Sequence, residues 1–266
     1  MTAADGSSND RFAQSVAISG GSIVIGAPGD DVGSNTDQGS AYVYTRMGTA
    51  WAQQAHLTAA DGAATDEFGQ SVSISGDTVI VGSRQDVGPN LFQGAAYIFT
   101  RSGASWSQQA HLTAADGSQG DNFGNSVAIS GDTVVIGAFV DDVGPNSEQG
   151  SAYLFTRSGT AWTQQTHLIA SDGANSDRFG RSVSISGDTV VIGADTDDIG
   201  ANADQGSAYV FTGTGGVWSQ QGHLTAVDGS VVNGFGYSVS IDANTVVVGS
   251  YADDVGTNSD QGSAYV

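Results

Sequence analysis

The chain repeats one sentence of apolar and polar residues. A stretch that alternates, "FGNSVAIS" (Phe123–Ser130), is followed across "GD" by one that is apolar throughout, "TVVIGA" (Thr133–Ala138). Alternation marks a strand with one face covered, and a continuous apolar run marks one covered on both. An acidic, Gly-rich stretch, "FVDDVGPNSEQG" (Phe139–Gly150), comes next. Then come "SAYLFTR" (Ser151–Arg157), the short turn "SGTA" and "WTQQTHLIA" (Trp162–Ala170). No segment keeps a helical period for more than a few residues. The pattern predicts four strands per unit, here called A to D, joined by turns.

The unit recurs five times. Aligned on one aromatic position, Phe12, Phe68, Phe123, Phe179 and Phe235 stand 56, 55, 56 and 56 residues apart. Four antiparallel strands at such a period is a propeller-blade pattern. One blade cannot cover both of its own faces, so neighbouring blades must cover them. The expected fold is all-β. It is one β-propeller domain over 1–266, with repeats near 1–58, 59–113, 114–169, 170–225 and 226–266. An open β-solenoid is the rival, but its rungs are usually much shorter. The fifth repeat stops at Tyr265-Val266, inside strand C, so the last blade is expected to be incomplete. Thr2-Ala3-Ala4 matches only the tail of a strand D. Self-association through that incomplete blade, or membership of a larger propeller, follows as an expectation.

Composition places the charge. The 28 acidic residues are 26 Asp and 2 Glu, against 7 Arg and no Lys, for a net charge of −21. Asp, Gly, Ser and Asn favour turns, so the acidity belongs to loops. A charge this negative repels phosphate backbones and anionic bilayers, which excludes nucleic acid as an expected partner. No apolar run reaches the roughly 18 residues needed to span a membrane, so membrane insertion is not expected. The start, "MTAADGSSND", has neither the charged nor the apolar region of a signal peptide and reads as repeat sequence. With no Cys, disulfides and thiolate chemistry are absent.

Because strand direction alternates, the B–C and D–A loops share one edge of each blade. Nearly all acidic residues fall in or beside these loops. The A–B turns hold only Asp77, Asp132, Asp188 and Asp242, while the C–D hairpins carry Arg46, Arg101 and Arg157. One face strongly negative and the other weakly positive is the expectation. Three readings of the acidic loops stay open, of which generic solubility or salt adaptation is the plainest. Paired carboxylates at Asp30-Asp31, Asp141-Asp142, Asp197-Asp198 and Asp253-Asp254, with nearby carbonyls, offer oxygen ligands for calcium or a contact for a cationic partner. Alternatively, Asp and Asn serve there as turn formers. The second repeat departs from the pattern: only Asp86 remains, beside Arg84, and Leu91-Phe92 is apolar where the other copies are polar.

His56, His111, His167 and His223 occupy one repeat position and cannot converge on one ion, so they read as structural. Trp51, Trp106, Trp162 and Trp218 open each strand D; they either pack between blades or stack on sugars. No Ser-His-Asp spacing, nucleophile elbow or phosphate loop is present, so no enzymatic activity is expected. The residues special to one unit include Arg84, Arg181, Val231, Val232 and Tyr237.

These units resemble the FG-GAP repeat family, found also in integrin α-subunit propellers. "FG" stands at Phe68-Gly69, Phe123-Gly124, Phe179-Gly180 and Phe235-Gly236. "GAP" is complete at Gly26-Ala27-Pro28 and decays to "GA" or "GS" elsewhere; the first repeat has Phe12-Ala13. The resemblance implies a binding or scaffold module, extracellular or at the cell surface, whose partner is a protein or a glycan. A propeller lectin with one shallow site per blade is the alternative. The family's D-x-D-x-D-G calcium loop lies in the A–B hairpin. Here that connection is only "SGDT", so those ligands do not carry over.

Overall fold

Adjacent sheets in this chain depend on each other for burial, and the strands are arranged accordingly. The computed structural model describes residues 1–214 and 216–266. The first sheet is β1 (Ser15–Ser19), β2 (Ser22–Ala27), β3 (Ser40–Met47) and β4 (Ala50–Leu57). The second is β5 (Ser71–Ser75), β6 (Thr78–Ser83), β7 (Ala95–Ser102) and β8 (Ser105–Leu112). The third is β9 (Ser126–Ser130), β10 (Thr133–Ala138), β11 (Ser151–Ser158) and β12 (Ala161–Leu168). The fourth is β13 (Ser182–Ser186), β14 (Thr189–Ala194), β15 (Ser207–Thr214) and β16 (Val217–Leu224). The last has three strands, β17 (Phe235–Asp242), β18 (Thr245–Ser250) and β19 (Ser263–Tyr265). Every sheet pairs its strands in chain order. The fold is therefore all-β, a β-propeller of five antiparallel blades with an incomplete last blade, and no described residue is helical.

The chain divides into two compact units, Met1–Asp132 with Arg157–Trp162, and Thr133–Thr156 with Thr163–Val266. In the first unit, Val24 and Val43 of the first blade pack with Val72, Ile74, Val79 and Val81 of the second. In the second unit, Val191 and Val210 of the fourth blade pack with Val239, Ile241, Val246 and Val248 of the fifth. Val24, Ile80, Val135 and Val191 share one repeat position and are all 0% exposed, whereas Val247 at the same position is 39% exposed. In β1, Val16 and Ile18 are 63% and 65% exposed, whereas Ile74, Ile129, Ile185 and Ile241 are 7% or 8% exposed. Identical side chains are thus buried or bare according to whether a neighbouring sheet lies over them. Full burial of one such side chain contributes roughly 1.5–3 kcal/mol.

The expected strand A began at the FG pair, but β9 begins at Ser126. Asn122 and Gly124 have φ of +55° and +91°, so this segment is a loop. Gly124 sits where its backbone crosses the preceding blade. A Cβ there would overlap the carbonyl oxygen of Ala95, and Ser71 Oγ donates 2.7 Å to the Gly124 carbonyl. Ser15 does the same to Gly69, and Ser182 to Gly236. FG glycine is therefore a close-approach residue as much as a turn residue. Asp242, expected in an A–B turn, instead ends β17 opposite Thr245.

Substitution should separate the two demands. Gly131 also has positive φ, at +58°, but a Cβ there meets open space. Gly131→Ala should cost about 1 kcal/mol from backbone strain alone, while Gly124→Ala should exceed about 3 kcal/mol because backbone must move. Urea midpoints of the two variants check the difference; equal losses would refute it.

Candidate functional site

The loops after β2, β6, β10, β14 and β18 each contain a short hairpin bridged between a Val or Ile and an Asn. In the first, Val32 and Asn35 exchange backbone hydrogen bonds of 3.1 Å. Asn35 Nδ2 donates 2.8 Å to Gln38 Oε1 and 3.2 Å to the Gly62 carbonyl. Asn90, Asn146 and Asn202 repeat both bonds, to Gln93, Gln149 and Gln205 and to Gly117, Gly173 and Gly229. The first four loops are thereby anchored to the loop that enters the next blade.

The paired carboxylates divide into two sets. Asp30, Asp141, Asp197 and Asp253 are buried. Asp141 Oδ2 accepts from Ser151 at 2.6 Å and from Tyr153 at 3.2 Å. Asp197 Oδ2 accepts from Ser207 and Tyr209, and Asp30 and Asp253 accept from Tyr42 and Tyr265. Their neighbours Asp31, Asp142, Asp198 and Asp254 are exposed. Each uses Oδ1 to accept the backbone N–H six residues on, at 2.8 or 2.9 Å. So the two carboxylates of a pair do different work. Among the described residues, no three His, Asp or Glu side chains gather as a metal-holding group.

The buried set belongs to a repeated stack. The imidazole of His56 lies on the ring of Tyr42 at 4.6 Å and 3°, and His111, His167 and His223 lie likewise on Tyr97, Tyr153 and Tyr209. His223 faces carboxylates on both sides, Nδ1 3.2 Å from Asp172 and Nε2 3.4 Å from Asp197. The hydrogen bond to Asp197, opposed by burial and aided by Asp172, raises its pKa. In the second blade, Gln85 stands where Asp30 and Asp197 stand elsewhere. His111 keeps only Asp61, at 3.3 Å, and burial lowers its pKa. Burial would raise Asp197, but the bonds from His223, Ser207 and Tyr209 outweigh it and hold the carboxyl below its ordinary value. The four histidines thus stack in their own blades and do not come together, and the double-carboxylate clamp was not foreseen.

A second buried acid, Asp10, Asp66, Asp121 or Asp177, closes the loop that enters each of the first four blades. Asp177 accepts from the Ala174 N–H at 2.6 Å and is 2% exposed. Burial, with Asp197, Asp198 and Asp172 nearby, lifts its pKa to about 6. Its fifth-repeat counterpart is Asn233, which donates 2.6 Å to Asp253.

On the opposite edge two of the turn acids are paired with arginine. Arg101 and Arg157, from the strand C ends, clasp Asp77 and Asp132 in the A–B turns and reach the previous blade at Ser22 Oγ and Thr78 Oγ1. Both guanidinium groups lie 5.3 Å over the indoles of Trp106 and Trp162. These indoles donate to Gln54 and Gln109 of the preceding blades. Trp106 and Trp162 therefore pack between blades. In the second blade, Phe92 lies beneath Arg84 at 4.6 Å while Leu91 is 49% exposed.

The FG-GAP repeat family matches this chain five times, over residues 1–44, 51–99, 106–155, 162–211 and 218–266. The chain belongs to the FG-GAP repeat family. No curated protein shows significant similarity to it.

Two titrations test the clamps. Gln85→Asp should give His111 the second carboxylate and move its pKa from below to above the ordinary imidazole value, near that of His223. Ring-proton NMR across pH 4.5–8.5 reads both, and an unmoved His111 would count against the clamp. Asp177 has a folded-state pKa above its unfolded value, so its contribution is complete below about pH 4 and is lost as pH rises through about 6. Asp177→Asn should therefore stabilise the protein by at least about 1 kcal/mol at pH 7.5 and by little at pH 4.5. Thermal melting at the two pH values checks it.

Proposed function

We propose that this chain is a non-enzymatic binding module, extracellular or at the cell surface, that meets a cationic protein through its B–C and D–A loops. The observation that carries the reading is the unequal state of the carboxylates on the two edges. Asp77 and Asp132 on the A–B edge are already held by Arg101 and Arg157. On the other edge, Asp31, Asp142, Asp198 and Asp254 are exposed, with backbone amides as their hydrogen-bond donors. Uncompensated charge of one sign steers an oppositely charged partner and raises its rate of encounter. Family membership supports a recognition role, and the extracellular placement follows the resemblance to integrin-type repeats. The even repetition also favours binding over catalysis, since an active site needs a constellation that occurs once. Calcium at the same exposed carboxylates is the competing ligand.

Polylysine binding followed by interferometry tests the reading. Affinity should fall steeply between 50 and 300 mM salt. Asn at Asp31, Asp142, Asp198 and Asp254 together should weaken it at least fivefold while keeping the loop bonds, since Asn Oδ1 also accepts. Asn at Asp77 and Asp132 should change it less than twofold. Equal effects from both sets would sink the proposal, and a melting midpoint that rises with calcium over chelator would favour the ion instead.

A further inference from the structure

The repeat symmetry breaks most sharply beside the fourth and fifth blades. The position after the apolar B strand reads Pro28, Arg84, Phe139, Asp195 and Tyr251 through the five repeats. The position two beyond the conserved-register Phe reads Gln14, Gln70, Asn125, Arg181 and Tyr237. Members of both series meet in one cluster. The Arg181 guanidinium lies 5.1 Å over Phe139 and 4.9 Å over Tyr237, and its Nε is 3.7 Å from Asp195 Oδ2. Tyr237 packs on Tyr251 at 4.7 Å. The Tyr251 ring lies against Gly234, where any Cβ would overlap it.

Next to this cluster is a groove of about 270 Å³, whose lining includes Arg178, Asp195, Thr196, Asp204, Val232 and Tyr251. Two buried polar atoms of its lining residues have no partner: Asp195 Oδ1, an acceptor, and Arg178 Nε, a donor. Asp195 is only 5% exposed. Buried polar atoms are nearly always satisfied, so each such atom needs an explanation. Two of the charged side chains already face a partner, because Asp195 Oδ2 faces Arg181 and Arg178 Nη2 lies 3.9 Å from Glu148, while Asp204 adds a further carboxylate to the lining. What is missing is one donor for Asp195 and one acceptor for Arg178. A pair of adjacent hydroxyls supplies both without adding charge, and the Tyr251 ring offers an apolar wall for carbon.

We propose that this groove binds a neutral vicinal diol of monosaccharide size. Its volume lies just below the roughly 300–1,000 Å³ of drug-sized ligand sites, which suits a ligand no larger than one sugar ring. The site occurs once, because only the fourth repeat places an acid at the Asp195 position. It is independent of the electrostatic reading above, since binding of a neutral ligand should not respond to salt.

The test is NMR titration of the full chain with D-glucose, D-galactose and D-mannose to 100 mM, with glycine as a zwitterionic probe. At least one sugar should give saturable amide shifts at Thr196, Gly234 and Tyr251, unchanged in 0.5 M NaCl. Asp195→Ala and Tyr251→Ala should each weaken binding at least tenfold. Four other residue types stand at this repeat position in the same chain, so both variants should fold. If one does not, the other carries the test. Absence of saturable shifts, shifts that survive both substitutions, or shifts from glycine alone would overturn the proposal.

Discussion

Everything in this molecule rests on sheets that cannot bury themselves. Each blade carries apolar side chains on both faces of its B strand, and its own strands cover neither. The neighbour must come close enough to exclude water, and the closest approach is backbone on backbone at the FG glycine. Gly69 and Gly124 lie against the carbonyls of Ser40 and Ala95, and Gly180 and Gly236 against those of Ser151 and Ser207. A side chain at that point would hold the sheets apart and leave gaps in packing that should be dense. The family's short motif is thus a spacing rule: an aromatic that fills the seam, then a residue with nothing to keep the seam open.

The same logic assigns the acids. A loop that must hand the chain from one blade to the next needs fixed geometry, and Asp offers a short acceptor that can cap several donors. Asp197 takes Ser207, Tyr209 and His223 at once. Burying that many carboxylates is costly unless each is satisfied, and the His–Tyr stack is the compensating element. Where the second repeat replaces the acid by Gln85, the Tyr97 hydroxyl still has Asp61 and Gln85 as its neighbours. The stack therefore survives the loss of one carboxylate, while the charge state of His111 follows a different course.

Much of the fold was legible in the sequence because the cues repeat. Alternation in "SVAIS", the unbroken run in "TVVIGA" and the 56-residue step each implied a strand, a covered face and a blade. Strand A begins at the FG pair in the last blade, but in the other four it begins three residues later, where "FGN" looks extended in residue type although its backbone is turned by positive φ at Asn122 and Gly124. The site was less legible. Asp30 and Asp31 are adjacent and identical in type, and nothing in the sequence says that one is buried under Tyr42 while the other faces solvent. Arg181 and Tyr237 were visible as residues special to one unit. Asp195 and Tyr251 were not singled out, although five different residues at one repeat position were the available signal.

Five different residues at one repeat position mark where a repeat protein can acquire function. Positions that build the seam are constrained alike in every copy, so they hold the same residue and can hold no unique chemistry. The position after the B strand is free of that constraint, because it follows the pairing and leans over the loop edge. It accepts Pro, Arg, Phe, Asp and Tyr in turn. Single sites of recognition should arise where such unconstrained positions from consecutive blades fall side by side. In this chain the place where they bring a buried acceptor, a buried donor and an aromatic wall together is the groove beside Asp195. A uniform scaffold and a singular site are then consequences of one arrangement: the seam demands sameness, and the residue just beyond it does not.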